Sequence, residues 1–201
     1  MILFFDTETT GLTPGGIIQL SYVMQTKDAV KAKNFFFAVD YIDPAATEVH
    51  GFTVEKIYEL SGGHTFSEYM EEIYDDFYSA DLIVAHNAPF DIGFLINEYY
   101  RRDRKFRYKA DFDTMRYFTP IMKMPRKSGC GYKFPKLTEL CEFLDIYPYD
   151  VTRKTAELFG CDVSRHDARY DTTALYLSFN EGAKKIEDLR EKALKHLQKS
   201  E

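Results

Sequence analysis

The sequence contains no tryptophan and only three cysteines among its 201 residues. The cysteines are odd in number and form no CxxC pair, so free thiols in a reducing compartment are the simplest interpretation. Aromatic residues other than tryptophan are plentiful, with 17 Phe and 15 Tyr. We expect most of these rings to lie in the core.

Long apolar runs and an excess of basic charge are also absent. The first apolar stretch meets Asp6 after a few residues, too short for a signal peptide or a membrane span. The net charge of −6 argues against a general polyanion-binding surface. It leaves room for several acids in one pocket where metal ions neutralise them. We expect a cytoplasmic protein with no membrane partner.

Repeats, low-complexity tracts and linkers are absent too, which favours one domain with a proper core. Alternation and turn signals, including the turn at residues 13–16, predict strands at 2–7, 17–24 and 34–41 in an antiparallel meander. Two further strands near residues 82–85 and 108–112 alternate with helices. The sequence therefore predicts an α/β fold with a mixed five-stranded sheet and flanking helices.

The spacing of apolar residues predicts helices over most of the remaining chain. A capping box of Thr65 and Glu68 opens one helix, and Gly182 is expected to end the last helix of the main domain. A charged helix over residues 183–200 follows. We assign residues 1–182 to one domain and 183–201 to a C-terminal helix that packs on it or binds a partner. The other predicted helices are 54–60, 89–102, 137–144, 152–159 and 168–179.

The first of three acidic motifs is FDTETTGL at residues 5–12. Asp6 and Glu8 lie two apart at a strand end, so both face the same side. Carboxylates this close repel each other, and a bound cation or a raised pKa is the usual remedy. Oxygen ligands favour Mg²⁺ or Mn²⁺. A polar turn is the alternative, but the string DxExTGL arises by chance only about once in millions of positions.

The second motif is HNAPFD at residues 86–91. Asp91 falls in the first turn of a helix, where a plain capping acid would contribute about 0.3–1 kcal/mol. Its place after a buried parallel strand favours a site instead, because open α/β sheets gather ligands at that edge.

The third motif is HDARYD at residues 166–171. Five helical steps rotate a side chain by about 140° from its starting direction. His166 is therefore expected on a loop or first turn, and Asp171 inside the helix. An unrelated surface pair is the alternative.

In this order and spacing, the motifs resemble the DEDDh branch of the DnaQ-like 3′→5′ exonucleases. That group includes the proofreading epsilon subunit of bacterial DNA polymerase III and ribonuclease T. Asp167, four residues before Asp171, stands where the tyrosine branch would have Tyr. The resemblance covers roughly residues 1–180 and implies a ribonuclease H-like fold.

The resemblance also implies a two-metal mechanism with Mg²⁺ or Mn²⁺ as cofactor. Asp6 would bridge the two ions, and Asp91 would support one of them. Glu8 and Asp171 would hold the ion that binds the attacking water. His166 would act as the general base, since histidine can take a proton near neutral pH.

Contacts to the 3′-terminal nucleotide are implied as well. Leu12 would wedge against the base, and His50 would lie near the nucleotide. The substrate-binding residues implied by the resemblance are Thr7, Thr9, Thr10, Gly11, Leu12, His50, His86, Asn87 and Phe90.

Basic side chains interleave with aromatic rings in residues 101–109 and 123–136. Such stretches suit a single strand held by charge and stacking. A solvated helix end and a solvated loop are the alternatives.

Three functions stay open. The first is an exonuclease that removes nucleoside 5′-monophosphates from the 3′ end of single-stranded DNA, with a possible polymerase or repair partner. The second is an exoribonuclease acting on RNA ends or short oligonucleotides, because no motif reports contacts to the 2′-hydroxyl. The third is a nuclease-like scaffold subunit. Such a subunit should have lost an acid or the histidine, whereas all five are present.

Overall fold

One mixed sheet organises the chain, in the order β3-β2-β1-β4-β5. The first three strands pair antiparallel, whereas β1 with β4 and β4 with β5 pair parallel. The predicted mixed five-stranded sheet is thereby confirmed. The computed structural model describes residues 1–13, 15–127, 129–163 and 165–197. The strands are β1 (Ile2–Thr9), β2 (Ile17–Gln25), β3 (Val30–Phe36), β4 (Leu82–Ala85) and β5 (Asp111–Asp113).

Helices cover both faces of the sheet. The capping box predicted at Thr65 and Glu68 is present, and the described residues contain no helix long and apolar enough to cross a membrane. The helices are α1 (Pro44–His50), α2 (Val54–Ser61), α3 (Phe66–Ser79), α4 (Ala88–Tyr100), α5 (Thr114–Met122), α6 (Leu137–Phe143), α7 (Pro148–Phe159), α8 (Ala168–Lys185) and α9 (Glu187–Leu197).

Strand β1 separates two hydrophobic cores. Leu3 and Phe5 point to the core that contains α3 and α4. Ile2 and Phe4 point the other way, to the core that contains α8. Because side chains alternate along a strand, Asp6 and Glu8 continue the face that looks toward α8.

The third strand differs from its prediction. It spans Val30–Phe36, whereas the sequence favoured residues 34–41. Phe37 is buried and packs on Phe66 with ring centroids 5.1 Å apart. The aromatic run marks the end of the strand and the entry to the core beneath α3. The first part of β3 is an exposed, lysine-containing edge, which has the composition of a loop.

The C-terminal segment also differs from its prediction. Helix α8 continues through Gly182 to Lys185, and the chain turns at Ile186. A Cβ at Gly182 would lie 2.9 Å from atoms of both Leu189 and Phe118, so this glycine allows close helix packing. Residues 198–201, and residue 14 of the predicted turn, lie outside the described residues. The division at residue 182 stays a prediction.

Helix α9 packs on the core through Leu189 and Ala193. The amino group of Met1 donates to Asp81 at 2.8 Å and to the carbonyl of His196 at 3.0 Å. Both ends of the described chain therefore meet at one edge of the fold. Cys130, Cys141 and Cys161 are free thiols, as predicted.

Candidate active site

Three carboxylates meet where β1 ends against the start of α8. Asp6, Glu8 and Asp171 each offer an oxygen, and these oxygens lie within 4.8 Å of one another. The register of β1 against β2 shifts between Glu8 and Thr9, directly after the acidic pair. Such irregularities re-aim side chains at the edges of active sites. A β-strand and a helix distant in sequence thus supply one oxygen cluster.

The cluster carries strong repulsion. Burial, together with repulsion from the neighbouring Asp171, raises the pKa of Glu8 to about 9. Burial also raises the pKa of Asp6 well above its usual range, with Asp91 and Asp171 adding to the effect. For Asp171, burial raises the pKa to about 6 against the lowering effect of the His166 backbone N–H. An all-oxygen donor set with this need for counter-charge fits hard divalent cations.

Asp91, in the first turn of α4, lies near this cluster, and its charge is the strongest of the neighbouring charges that raise the pKa of Asp6. Its Oδ1 accepts hydrogen bonds from the Thr7 backbone N–H at 3.1 Å and from the Thr7 hydroxyl at 2.6 Å. Burial raises the pKa of Asp91 to about 7, and the Thr7 bonds oppose the rise. Thr7 therefore holds Asp91, while its neighbours Asp6 and Glu8 on β1 meet Asp171.

His166 lies on the turn before α8, as predicted, with Asp171 in the first turn of the helix. Its φ of +63° is in the left-handed region, a conformation that costs on the order of 1–3 kcal/mol and is concentrated at functional sites. The His166 backbone N–H donates to Asp171 Oδ2 at 3.1 Å. Among the described residues, no hydrogen-bond partner contacts the imidazole ring.

Two open cavities share this turn. One, of about 430 Å³, is lined by Asp6, His86, His166 and Asp171 among others. The second, of about 470 Å³, is lined by His50 and again by His166. The turn before α8 is therefore a wall between the carboxylate cluster and the space beside His50.

The two remaining predicted histidines are engaged by the protein. His50 Nδ1 accepts from the Phe52 backbone N–H at 3.0 Å, and Nε2 lies 3.3 Å from the Thr9 carbonyl. His86 Nδ1 lies 2.9 Å from the Thr114 hydroxyl, and Nε2 lies 2.9 Å from the Pro135 carbonyl. Burial lowers the pKa of both side chains. This shift favours the neutral form of both imidazoles, and His86 anchors the chain just before α6.

The other residues of the second motif shape the start of α4. Asn87 precedes the helix with a φ of +78°, and its N–H donates to Asp113 Oδ1 at 3.1 Å. The ring of Phe90 packs on Phe94 at 4.9 Å. The structure thus gives these two residues contacts at and near the start of α4.

In the segment after Glu8, some side chains are held by hydrogen bonds and others are exposed. The Thr9 hydroxyl donates to the Gly11 carbonyl at 2.9 Å, and the Thr10 hydroxyl accepts from the Gly16 N–H at 2.9 Å. Leu12, in contrast, is 89% exposed. An apolar side chain this exposed is free to contact a ligand.

The sequence analysis overlooked a buried polar network behind His166. Gln19 is fully buried on β2; its Nε2 donates to Asp167 Oδ1 at 2.9 Å, and its Oε1 accepts from the Ala168 N–H at 3.1 Å. Arg169 pairs with Asp167 at 2.6 Å. Polar residues inside an otherwise apolar strand were the available signal.

The two basic stretches differ in their ion pairs. In the first stretch, Arg101 and Arg102 pair with the buried Glu98, and further pairs join Arg104 to Glu71 and Lys109 to Asp81. In the second, a Lys133–Glu139 ion pair is present. Four other basic side chains there have no ion-pair partner within the described residues: Lys123, Arg126, Lys127 and Lys136. The second stretch therefore keeps more unpaired positive charge.

Comparison with known proteins assigns the family. The family model RNase_T, described as Exonuclease, matches residues 3–179. The DNA polymerase III subunit epsilon of Pasteurella multocida is 30% identical over 154 residues, covering 72% of this chain and 57% of that protein. The chain thus spans little more than half the length of this curated relative.

Solved structures agree on the fold. The metal-free form of the E. coli ExoI–ssDNA complex superposes with a TM-score of 0.72 at 17% identity, covering 97% of this chain and 42% of that chain. The nuclease domain of 3′hExo, a DEDDh family member bound to rAMP, gives 0.60 at 14% identity and covers 92% and 91% of the two chains. The predicted ribonuclease H-like fold is confirmed.

Proposed function

Because the chain belongs to the exonuclease family, we propose that it is a metal-dependent 3′→5′ exonuclease acting on single-stranded DNA. The observation that carries the proposal is the convergence of Asp6, Glu8 and Asp171 within 4.8 Å. A scaffold subunit has no use for three repelling carboxylates, whereas a phosphodiesterase needs them to hold cations.

We assign the carboxylates to the metals as the family resemblance implies. Asp6 would serve both ions, Glu8 and Asp171 one of them, and Asp91 the other. Two bound divalent ions supply counter-charge for the phosphate and ease the deprotonation of water. The protein's own contribution is to hold the acids together, with Thr7 fixing the orientation of Asp91.

We assign His166 as the general base. Its ring shares a cavity with Asp6 and Asp171, and the described residues leave it without a hydrogen-bond partner. It can therefore take the proton of a water that attacks the phosphorus atom. The hydrogen bond from the His166 backbone N–H to Asp171 holds the turn in place, while the His166 side chain stays free to move.

The substrate end would lie in the cavity beside His50. The exposed Leu12 would pack on the terminal base, and residues 7–12 would line the nucleotide through backbone and side-chain contacts. The second basic stretch, residues 123–136, has more basic side chains without an ion-pair partner among the described residues, and it contains the exposed Tyr132 and Phe134. We assign it to guiding the single strand by charge and stacking.

Single-stranded DNA is our first choice of polymer because of two similar proteins. The epsilon subunit belongs by name to a DNA polymerase, and the ExoI structure is titled as an ssDNA complex. RNA is the second candidate, since the similar 3′hExo nuclease domain was solved with rAMP bound. The proposed products are nucleoside 5′-monophosphates in either case.

A matched digestion tests the function. Single-stranded DNA, duplex DNA and RNA of one sequence are incubated with the protein in Mg²⁺, Mn²⁺ or EDTA, and products are resolved by length. We expect stepwise shortening from the 3′ end, fastest on single-stranded DNA and absent in EDTA. Faster digestion of RNA would make RNA the preferred substrate in place of single-stranded DNA. No digestion of any substrate would overturn the proposed activity.

Two variants test the assigned residues in the same assay. Asp171→Asn and His166→Ala should each lower the rate at least about a hundred-fold, because each removes a group acting on the reaction itself. Thermal melting of both variants shows whether they remain folded. Near wild-type rates in a folded Asp171→Asn protein would refute the metal assignment.

A polymerase or repair complex is the partner we propose, in the cytoplasm, because the relative is named as a subunit. Co-elution with the replicative polymerase of the same source on size-exclusion chromatography tests it. Separate elution at micromolar concentrations would favour a nuclease that works alone.

A further inference from the structure

The cavity that holds the carboxylates is also lined by two exposed basic side chains, Lys136 and Arg165. Neither forms an ion pair with any described residue, although acids lie on the floor of the same cavity. The positive charges are therefore available to a ligand.

Arg165 stands at the boundary between the two cavities. Together with its neighbour His166 it lines both the space above Asp6 and Asp171 and the space beside His50. If the terminal nucleotide occupies the His50 side, the bond to be cleaved must pass this wall to reach the carboxylates. Arg165 is then adjacent to the phosphate that joins the last nucleotide to the preceding one.

Hydrogen bonds hold the backbone at or next to both basic residues. The carbonyl of Pro135, just before Lys136, is held by His86, and the Lys136 N–H donates to Glu139 Oε2 at 2.8 Å. The backbone N–H of His166, the residue after Arg165, donates to Asp171 Oδ2 at 3.1 Å. Positioned cations of this kind bind an anion at lower entropic cost than freely moving ones.

We propose that Lys136 and Arg165 form a phosphate clamp that holds the scissile phosphate over the carboxylate cluster. The clamp deepens the proposed function and rests on it. Arg165 offers a planar fork suited to two phosphate oxygens, and Lys136 offers a point charge from the position just before α6. An acidic chain with a net charge of −6 thereby gains local attraction for a polyanion where it is needed.

The test measures binding and turnover as functions of salt. A fluorescently labelled single-stranded oligonucleotide is titrated with His166→Ala protein in Mg²⁺, alone and combined with Arg165→Gln, Arg165→Lys or Lys136→Gln. Each Gln variant should weaken binding roughly ten-fold and lower the slope of log affinity against log salt by about 0.7. Arg165→Lys should keep the slope while losing part of the affinity, because charge is preserved without the fork.

Lys31→Gln is the matched control. Lys31 lies on β3 opposite Met24, at the far end of the sheet from Asp6, and forms no ion pair among the described residues. It removes the same charge far from the cavity. Kinetics of the same substitutions in the His166-containing protein should show a matching loss of kcat/KM.

The outcomes separate the two proposals. If the unmodified protein digests single strands but the Arg165 and Lys136 variants match Lys31→Gln in slope and affinity, the clamp is wrong and the exonuclease stands. If the unmodified protein neither binds nor digests any strand, the exonuclease proposal fails and the clamp fails with it.

Discussion

Gln19 is a fully buried amide that ties the centre of the sheet to the turn carrying His166. It bonds both Asp167 and the Ala168 N–H at the start of α8. It sits across from Glu8 in the pairing of β1 with β2. One side chain therefore fixes the distance between the strand that supplies two carboxylates and the helix that supplies the third.

Gln19→Ala should lower kcat on the order of ten- to a hundred-fold with a smaller change in KM, because it misplaces reactive groups rather than the strand. It should also lower the free energy of unfolding by about 1–3 kcal/mol, since buried polar partners lose their bonds. Steady-state kinetics and urea unfolding measure the two effects.

Gln25→Ala provides the control for that substitution. Gln25 also joins β2 to α8, through Asn180, but at the end of the helix distant from Asp171. This variant should lose stability without losing kcat. An equal loss of kcat in both variants would show that Gln19 acts only through overall stability.

Among the helices and strands, errors in the sequence-based prediction follow from local composition. The Phe35-Phe36-Phe37 run favoured a strand reaching residue 41, yet Phe37 leaves the sheet to fill the core beneath α3. Helix α5 was not predicted, and it contains Pro120, a residue that removes a hydrogen bond from a helix interior. The lysine-bearing edge of β3 looks like a loop because only tertiary pairing makes it a strand.

The site elements, in contrast, follow from sequence order. Apolar patterns, turn signals and helical rotation predicted strand β1, the short buried β4 and the turn before α8. The acidic motifs in these elements carried the family resemblance. The proximity of Asp6 and Glu8 could be expected from the alternation of side chains along a strand, whereas the approach of Asp171 was implied by the family resemblance. The buried partners of His86 and Asp167 could not, because they come from residues distant in sequence.

Gly182 provides a test of packing between helices. Gly182→Ala should lower the free energy of unfolding by about 1–3 kcal/mol, because a Cβ there would lie 2.9 Å from both Leu189 and Phe118. Thermal melting measures the change. Unaltered or increased stability would show that α9 can shift away from α8 without cost.

Gly93→Ala is the matched control within α4. A Cβ at this helical position meets no atom within 4 Å. The same substitution should there raise stability by about 0.4–1 kcal/mol through a smaller unfolded-state entropy. Stability changes of opposite sign at the two glycines would separate the effect of packing from that of helix propensity.

Across the full chain, the carboxylate cluster links stability to pH and to metal. Glu8 has a folded pKa of about 9, above the ordinary glutamate value of about 4.3. The folded chain therefore binds more protons than the unfolded chain in that window, and its stability falls as pH rises through it. Divalent cations, by binding only the folded cluster, should restore what is lost.

Glu8→Gln should raise the Tm of the metal-free protein by several degrees near pH 8, and the gain should shrink toward pH 5. Adding Mg²⁺ or Mn²⁺ should raise the Tm of the unmodified protein more than that of the variant. Scanning fluorimetry across pH, with EDTA or metal, measures both. A gain independent of pH would show that the repulsion among the acids is not its cause.

The separation of Asp6 from Asp171 along the chain has a consequence for biosynthesis. The strand that carries Asp6 and Glu8 emerges from the ribosome early, but the cluster gains its third carboxylate only after the start of α8 has been made. A nascent or C-terminally degraded chain lacking α8 would display the acidic pair without the group that completes it. The complete set of oxygen donors for a cation would thus arise only late in translation.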